Sequence, residues 1–267
     1  MDPVPAETPA PPETAAPGRH PTSDRRALIL AVRTLIVVGI ALFAFGLVMG
    51  FALVGRHGGG AIQGTDTHVW HWFVQHRYAV ALAKVIATFG DAAALGVICV
   101  VLTAGLLVWR RTPWALAPIV AYLGAEAQVF VIREIIHRPR PLTADYPAPG
   151  ALPGVHETGW SFPSGHATAV TAVLVACLGI LALSRHVLWP WVLAVLASAY
   201  VASSRLDLGV HWLSDVGVGL LIGIGWGVTV AVVALRLSPP QYGTSAHATP
   251  SRRQRRSADP RPVRSEQ

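Results

Sequence analysis

Six long apolar stretches, at about 34–54, 81–109, 113–136, 167–183, 187–204 and 212–235, constrain this chain more than any other feature. A helix needs about 20 residues to cross the hydrocarbon core of a bilayer, with a range of about 17–25. The fourth and fifth stretches are near the lower limit, yet each is bounded by polar residues. Neither carries the amphipathic stripe of a surface helix. Only 13% of the 267 residues are charged, about half the roughly 25% usual in soluble domains. These features predict an all-α polytopic membrane protein with six transmembrane helices in a bundle, in preference to a soluble helical core.

The flanks read differently. Residues 1–26, rich in Pro, Ala and Thr, predict a disordered tail, and 237–267 a disordered basic tail around RRQRR, leaving 27–236 as the membrane domain. The first apolar run starts too late and runs too long for a secretory signal peptide. Cys99 and Cys177 sit inside apolar runs, which argues against a disulfide framework.

Basic residues set an orientation. With a cytoplasmic N-terminus, 14 of the 21 Lys and Arg residues fall on inner segments and seven on outer or embedded ones. That bias follows the positive-inside rule and predicts a multi-pass protein of the plasma (inner) membrane with both termini cytoplasmic. The tryptophans agree, with Trp70, Trp72, Trp160 and Trp212 near outer ends and Trp109, Trp114, Trp189 and Trp191 near inner ends. The C-terminal arginines fit a topology determinant and anionic-lipid contact better than nucleic-acid binding.

Against this background the polar exceptions are informative, because an ionisable group at mid-span costs about 2.5–3.5 kcal/mol on insertion scales. They cluster as REIIHRPRP (133–141), FPSGH (162–166) and SRLDLGVHWLSD (204–215). Counting spans, all three lie on the outer face. Guanidiniums gathered there imply an anionic ligand, and arginine's planar fork suits phosphate oxygens. His211 and Asp215 are spaced i,i+4, so the carboxylate can hold one ring nitrogen and leave the other to attack. Ser164, Gly165 and His166 open a helix, whose N–H groups favour an oxyanion. Such a set suits phosphoryl transfer through a histidine nucleophile with a second histidine as proton donor.

The sequence resembles the type 2 phosphatidic acid phosphatase (PAP2) superfamily in its membrane-embedded branch. The family's Lys-x6-Arg-Pro is matched by Arg133, Arg140 and Pro141, its Pro-Ser-Gly-His by Pro163, Ser164, Gly165 and His166, and its Ser-Arg-x5-His-x3-Asp by Ser204, Arg205, His211 and Asp215. Ten of the eleven specified positions agree, and Arg133 replaces the usual lysine. The resemblance implies the PAP2/acid phosphatase helical core and a metal-independent hydrolase. His211 would attack phosphorus, Asp215 orient it, and His166 protonate the leaving oxygen and then activate water. Arg133, Arg140, Arg205 and the Ser164–Gly165 turn would hold the phosphate. The implied substrate is a membrane lipid phosphate or pyrophosphate: polyprenyl pyrophosphate, phosphatidylglycerophosphate or phosphatidate. A lipid phosphotransferase of the same fold and a non-enzymatic lipid-phosphate binder or carrier are the alternatives.

Other polar residues carry plainer expectations. His137 and Arg138 read as loop-facing, and Glu126 as a structural carboxylate facing the bundle on the same face as Arg133. His68, His71 and His76 lack the partners of a zinc site and fit an interfacial belt. Asp91 and Asp207 lie near the motifs without a role that spacing assigns.

Overall fold

The computed structural model describes residues 21–55, 57, 59–110, 112–141, 152 and 157–238. Among these there are helices and no strands: α1 (Pro21–Met49), α2 (Gln63–Gln75), α3 (Val80–Gly90), α4 (Ala92–Arg110), α5 (Ala117–Ile136), α6 (Gly165–Arg185), α7 (Trp189–Asp207) and α8 (Leu213–Leu237). A π-helical turn (Gly50–Val54) extends α1, and a 3₁₀ turn (Pro113–Leu116) opens α5. The predicted tails fall largely outside the described residues, although α1 begins at Pro21 and α8 runs to Leu237.

Five of these segments are long and apolar enough to cross a membrane: 25–54, 92–109, 113–136, 165–185 and 213–237. The 19-residue α7 is the sixth of the bundle. Large apolar side chains face outward along them, among them Ile40, Val97, Val101, Phe130, Val195 and Leu196. In water such a surface would aggregate; in lipid it is the solvated face. The protein is a multi-pass membrane protein.

The second apolar stretch differs from the prediction. It breaks at Gly90–Asp91, where Asp91 turns to an extended ψ of 142° and its carboxylate accepts the N–H of Ala93. An aspartate that caps the next helix competes with continuing the previous one, so one apolar run becomes α3 and α4. The segment between the first two apolar stretches likewise holds a helix, α2, that the apolar pattern did not announce.

The core is built by small residues. Ala121 and Ala125 of α5, Ala169, Ala172 and Ala176 of α6 and Val230 and Ala231 of α8 form one buried cluster with Trp226. Gly219, Gly223 and Gly227 recur every four residues along α8 and lie against α6 backbone. A Cβ added at these positions would stand 3.0, 2.5 and 2.7 Å from the carbonyl oxygens of Ser164, Thr168 and Ala172. Lipid supplies no hydrophobic drive between helices, so close backbone approach of this kind supplies the packing. It also fixes the start of α6 against the start of α8.

Candidate active site

The ends of α5, α6, α7 and α8 converge, and α2 and α3 pack over them. Among the described residues the buried charged groups collect here: Asp66, Arg138, Arg140, Arg205, Asp207, His211 and Asp215. Lipid-facing helices can bury such groups only when each finds partners.

His211 lies in the loop between α7 and α8 and is fully buried. Gly209 makes that turn possible with φ +73°, and the indole N–H of Trp70 on α2 donates to its carbonyl at 2.9 Å. The Asp215 carboxylate accepts the Trp212 backbone N–H at 2.9 Å, capping α8, and faces His211 Nδ1 at 3.3 Å. On the other side Arg140 reaches His211 Nε2 at 2.9 Å. A guanidinium can only donate and an ionised carboxylate only accept. With Arg140 as donor, Nε2 presents its lone pair and Nδ1 carries its proton toward Asp215.

Ser164 caps α6: its Oγ accepts from Ala167 N–H, and its own N–H donates to the Asp215 carbonyl at 3.0 Å. Gly165 lies under the Arg133 guanidinium, where a Cβ would come within 3.2 Å of Nη2. Arg133 Nε donates to the Pro163 carbonyl at 3.1 Å, which ties α5 to the turn before α6. His166 places Nε2 3.0 Å from the Ala87 carbonyl of α3, and its ring packs against Gly90. Arg133, Arg140, Gly165 and His166 share a cavity of about 730 Å3. The structure thus brings Arg133, Arg140, Ser164, Gly165, His166, His211 and Asp215 to one end of the bundle.

It also adds residues that they omit. Glu157 accepts Arg140 at 2.7 Å and Arg205 at 2.9 Å, and lies 3.6 Å from His211 Nε2. Burial alone would raise its pKa, but His211, Arg140 and Arg205 outweigh this and hold the carboxyl well below the usual carboxylate range. The second addition overturns an expectation. Arg138 does not face a loop; it is fully buried and bridges Asp66 and Asp215, each at 2.7 Å. His137, by contrast, caps α5 in the left-handed conformation with its ring against Trp160.

The remaining polar residues divide between structure and cavity. Asp207 accepts the backbone N–H groups of Tyr78 and Ala79 and anchors the start of α3. Glu126 lines the cavity within electrostatic reach of Arg133. On and just after α2, His71 lies edge-on to Trp70, and His76 stacks on Trp72. Among the described residues no group of three His, Cys, Asp or Glu side chains is arranged to hold a metal ion.

Comparison with known proteins agrees with this architecture. The sequence profile of the PAP2 superfamily matches residues 114–238. The chain is 34% identical over 151 residues to the decaprenylphosphoryl-5-phosphoribose phosphatase of Mycobacterium tuberculosis, covering 57% of this chain and 78% of that protein. It is 30% identical over 144 residues to phosphatidylglycerophosphatase B of Bacillus subtilis, covering 52% and 67%. The crystal structure of a transmembrane PAP2-type phosphatidylglycerolphosphate phosphatase from Bacillus subtilis superposes with a TM-score of 0.57 at 26% identity, covering 74% of this chain and 94% of that one. An α-helical membrane bundle with this site defines a class, the membrane-embedded phosphatases. The chain belongs to the PAP2 superfamily and is a PAP2-type phosphatase.

Proposed function

We propose that this protein hydrolyses a lipid phosphate or pyrophosphate, at the outer leaflet of the plasma membrane, through a phosphohistidine on His211. The observation that carries this reading is Glu157. An anion already lies between Arg140 and Arg205 and 3.6 Å from His211 Nε2, the position a phosphoryl group must take to be attacked.

In the proposed reaction the substrate phosphate displaces the Glu157 carboxylate. Arg140, Arg205 and Arg133 then hold its non-bridging oxygens, with the Ser164–Gly165 turn at the head of α6. Preorganised positive charge stabilises charge developing on those oxygens. His211 Nε2 forms the N–P bond as the bond from phosphorus to the lipid oxygen breaks. His166 gives a proton to that oxygen. It then takes a proton from the water that attacks phosphorus, the N–P bond breaks, and inorganic phosphate leaves. Asp215 stabilises the positive imidazole throughout. General acid–base help of this kind is worth roughly 10²–10⁴ in rate. The three arginines supply the charge neutralisation that a divalent cation supplies elsewhere.

The relatives act, by name, on a decaprenylphosphoryl phosphoribose and a phosphatidylglycerophosphate. The cavity is compatible with that class, because basic Lys84, Arg133 and Arg140 share its wall with apolar Ala92, Ala93 and Leu208. Phosphate release from phosphatidate, phosphatidylglycerophosphate and undecaprenyl diphosphate tests the reading. Wild type is expected to release phosphate from at least one of them in excess chelator, and His211→Ala to lose at least 10³-fold of that rate. An H211A protein as fast as wild type would sink the mechanism, and complete loss in chelator would return a metal to it.

A further inference from the structure

We propose that Asp66 and Arg138 form a positioning relay that sets the orientation and net charge of the Asp215–His211 pair. This rests on the reading of His211 as nucleophile. Neither residue is specified by the three motifs, and neither lines the cavity.

Both are fully buried, and together they link α2 to Asp215, the carboxylate that faces the His211 ring. One terminal nitrogen of Arg138 donates to Asp215 Oδ1 and Ser214 Oγ, each at 2.7 Å. The other donates to Asp66 Oδ2 at 2.7 Å and Gln63 Oε1 at 3.0 Å. Asp66 Oδ1 accepts the Ser214 backbone N–H at 2.9 Å, and its Oδ2 accepts the Ser214 hydroxyl. The guanidinium lies over the Trp212 ring at 5.2 Å. With Oδ1 engaged by Arg138, Asp215 presents only Oδ2 to Trp212 N–H and His211 Nδ1. A carboxylate fixed at both oxygens cannot rotate away from the imidazole.

The charge count is the second half of the argument. Two carboxylates around one guanidinium leave a single negative charge at the His211 ring. Without Asp66, Arg138 would neutralise Asp215, and the ring would lose the field that stabilises its cationic form during phosphoryl transfer. Asp66 belongs to α2, outside the four helices whose ends carry the motifs, so this short helix completes the site from above. The groups facing His211 directly are Asp215, Arg140 and Glu157; Arg205 lies behind Glu157, and His166 is within electrostatic reach. None of these is changed by a substitution at Asp66.

The test measures kcat, KM and their pH dependence for full-length Asp66→Asn in detergent micelles. The substrate is whichever of phosphatidate, phosphatidylglycerophosphate and undecaprenyl diphosphate wild type turns over fastest. Asparagine keeps the size and the acceptor for Ser214 but removes the charge. The expected result is a kcat lower by about tenfold, the scale of an outer-shell substitution, with KM unchanged. The acid limb of kcat/KM should move to lower pH, because His211 becomes less basic. The double variant D66N/R138Q restores one net negative charge and should return the acid limb to the wild-type position. If D66N does not fold, the double variant carries the test by comparison with wild type. A D66N enzyme with wild-type kcat and acid limb, a loss confined to KM, or a folded double variant with a shifted limb would each overturn the relay. H211A is assayed alongside: if it stays active the nucleophile assignment fails, whereas an inactive H211A beside an unchanged D66N removes the relay alone.

Discussion

Glu157 is the residue whose contacts say most about how the site treats anions. It competes for the arginines that a substrate phosphate would use, so replacing it should favour phosphate. Glu157→Gln is expected to tighten inhibition by inorganic phosphate on the order of tenfold, equivalent to about 1.4 kcal/mol. An unchanged inhibition constant would show that the carboxylate and phosphate do not share a place. The same carboxyl predicts a pH dependence. Its folded pKa lies below its unfolded value of about 4.3, so its contribution to stability is complete above that value. The contribution is lost as pH falls from there through the lower folded pKa. The difference in Tm between wild type and E157Q should therefore hold from pH 8 to 5 and narrow below about pH 4; a gap constant down to pH 3 contradicts it. Nothing in the sequence around Glu157 marks it, since a lone glutamate in a Pro- and Gly-containing segment has no periodic partner. Arg138 escaped for a different reason. It stands in a motif-bearing loop, and only the approach of Asp66, 72 positions away, makes it a buried bridge.

Among the elements, α8 shows how the bundle sets the site. Its glycines let the α6 backbone approach, and that contact brings Ser164 N–H to the Asp215 carbonyl. Adding one methyl group should separate them. Gly223→Ala places a Cβ 2.5 Å from the Thr168 carbonyl, an overpacking expected to cost about 1–3 kcal/mol. Gly217→Ala, with no atom within 4 Å of its Cβ, should leave stability unchanged or raise it by up to about 1 kcal/mol through helix propensity. Thermal unfolding of the two purified variants in detergent compares them, and equal Tm values would refute the packing role. The hydropathy pattern made α1, α5, α6 and α8 plain because each is a long apolar run. It passed over α2, whose Thr, His and Gln residues give it no apolar periodicity, and merged α3 with α4 across an Asp91 cap that hydropathy averaging smooths out.

For the whole molecule, the expectation still to be tested is orientation. The excess of arginine on alternate segments predicts a site outside the cytoplasm. A single cysteine introduced at Gly150, in a background lacking Cys99 and Cys177, should react with an impermeant maleimide added to intact cells. Labelling only after lysis would invert the topology. Membrane residence and the meeting of three motif clusters at one end of the bundle were legible before any fold was known. Each follows from local hydropathy, span length and the parity of crossings, which are properties of consecutive residues. The partners inside the site were not legible: Glu157 with Arg140 and Arg205, Asp66 with Arg138, and the glycine face of α8 with α6. These contacts join residues on different helices, and their energy depends on distances of 2.7–2.9 Å that arise only when the helices pack. Sequence determined which side chains could handle a phosphate, and tertiary structure decided which charges neutralise one another and which remain to act on it.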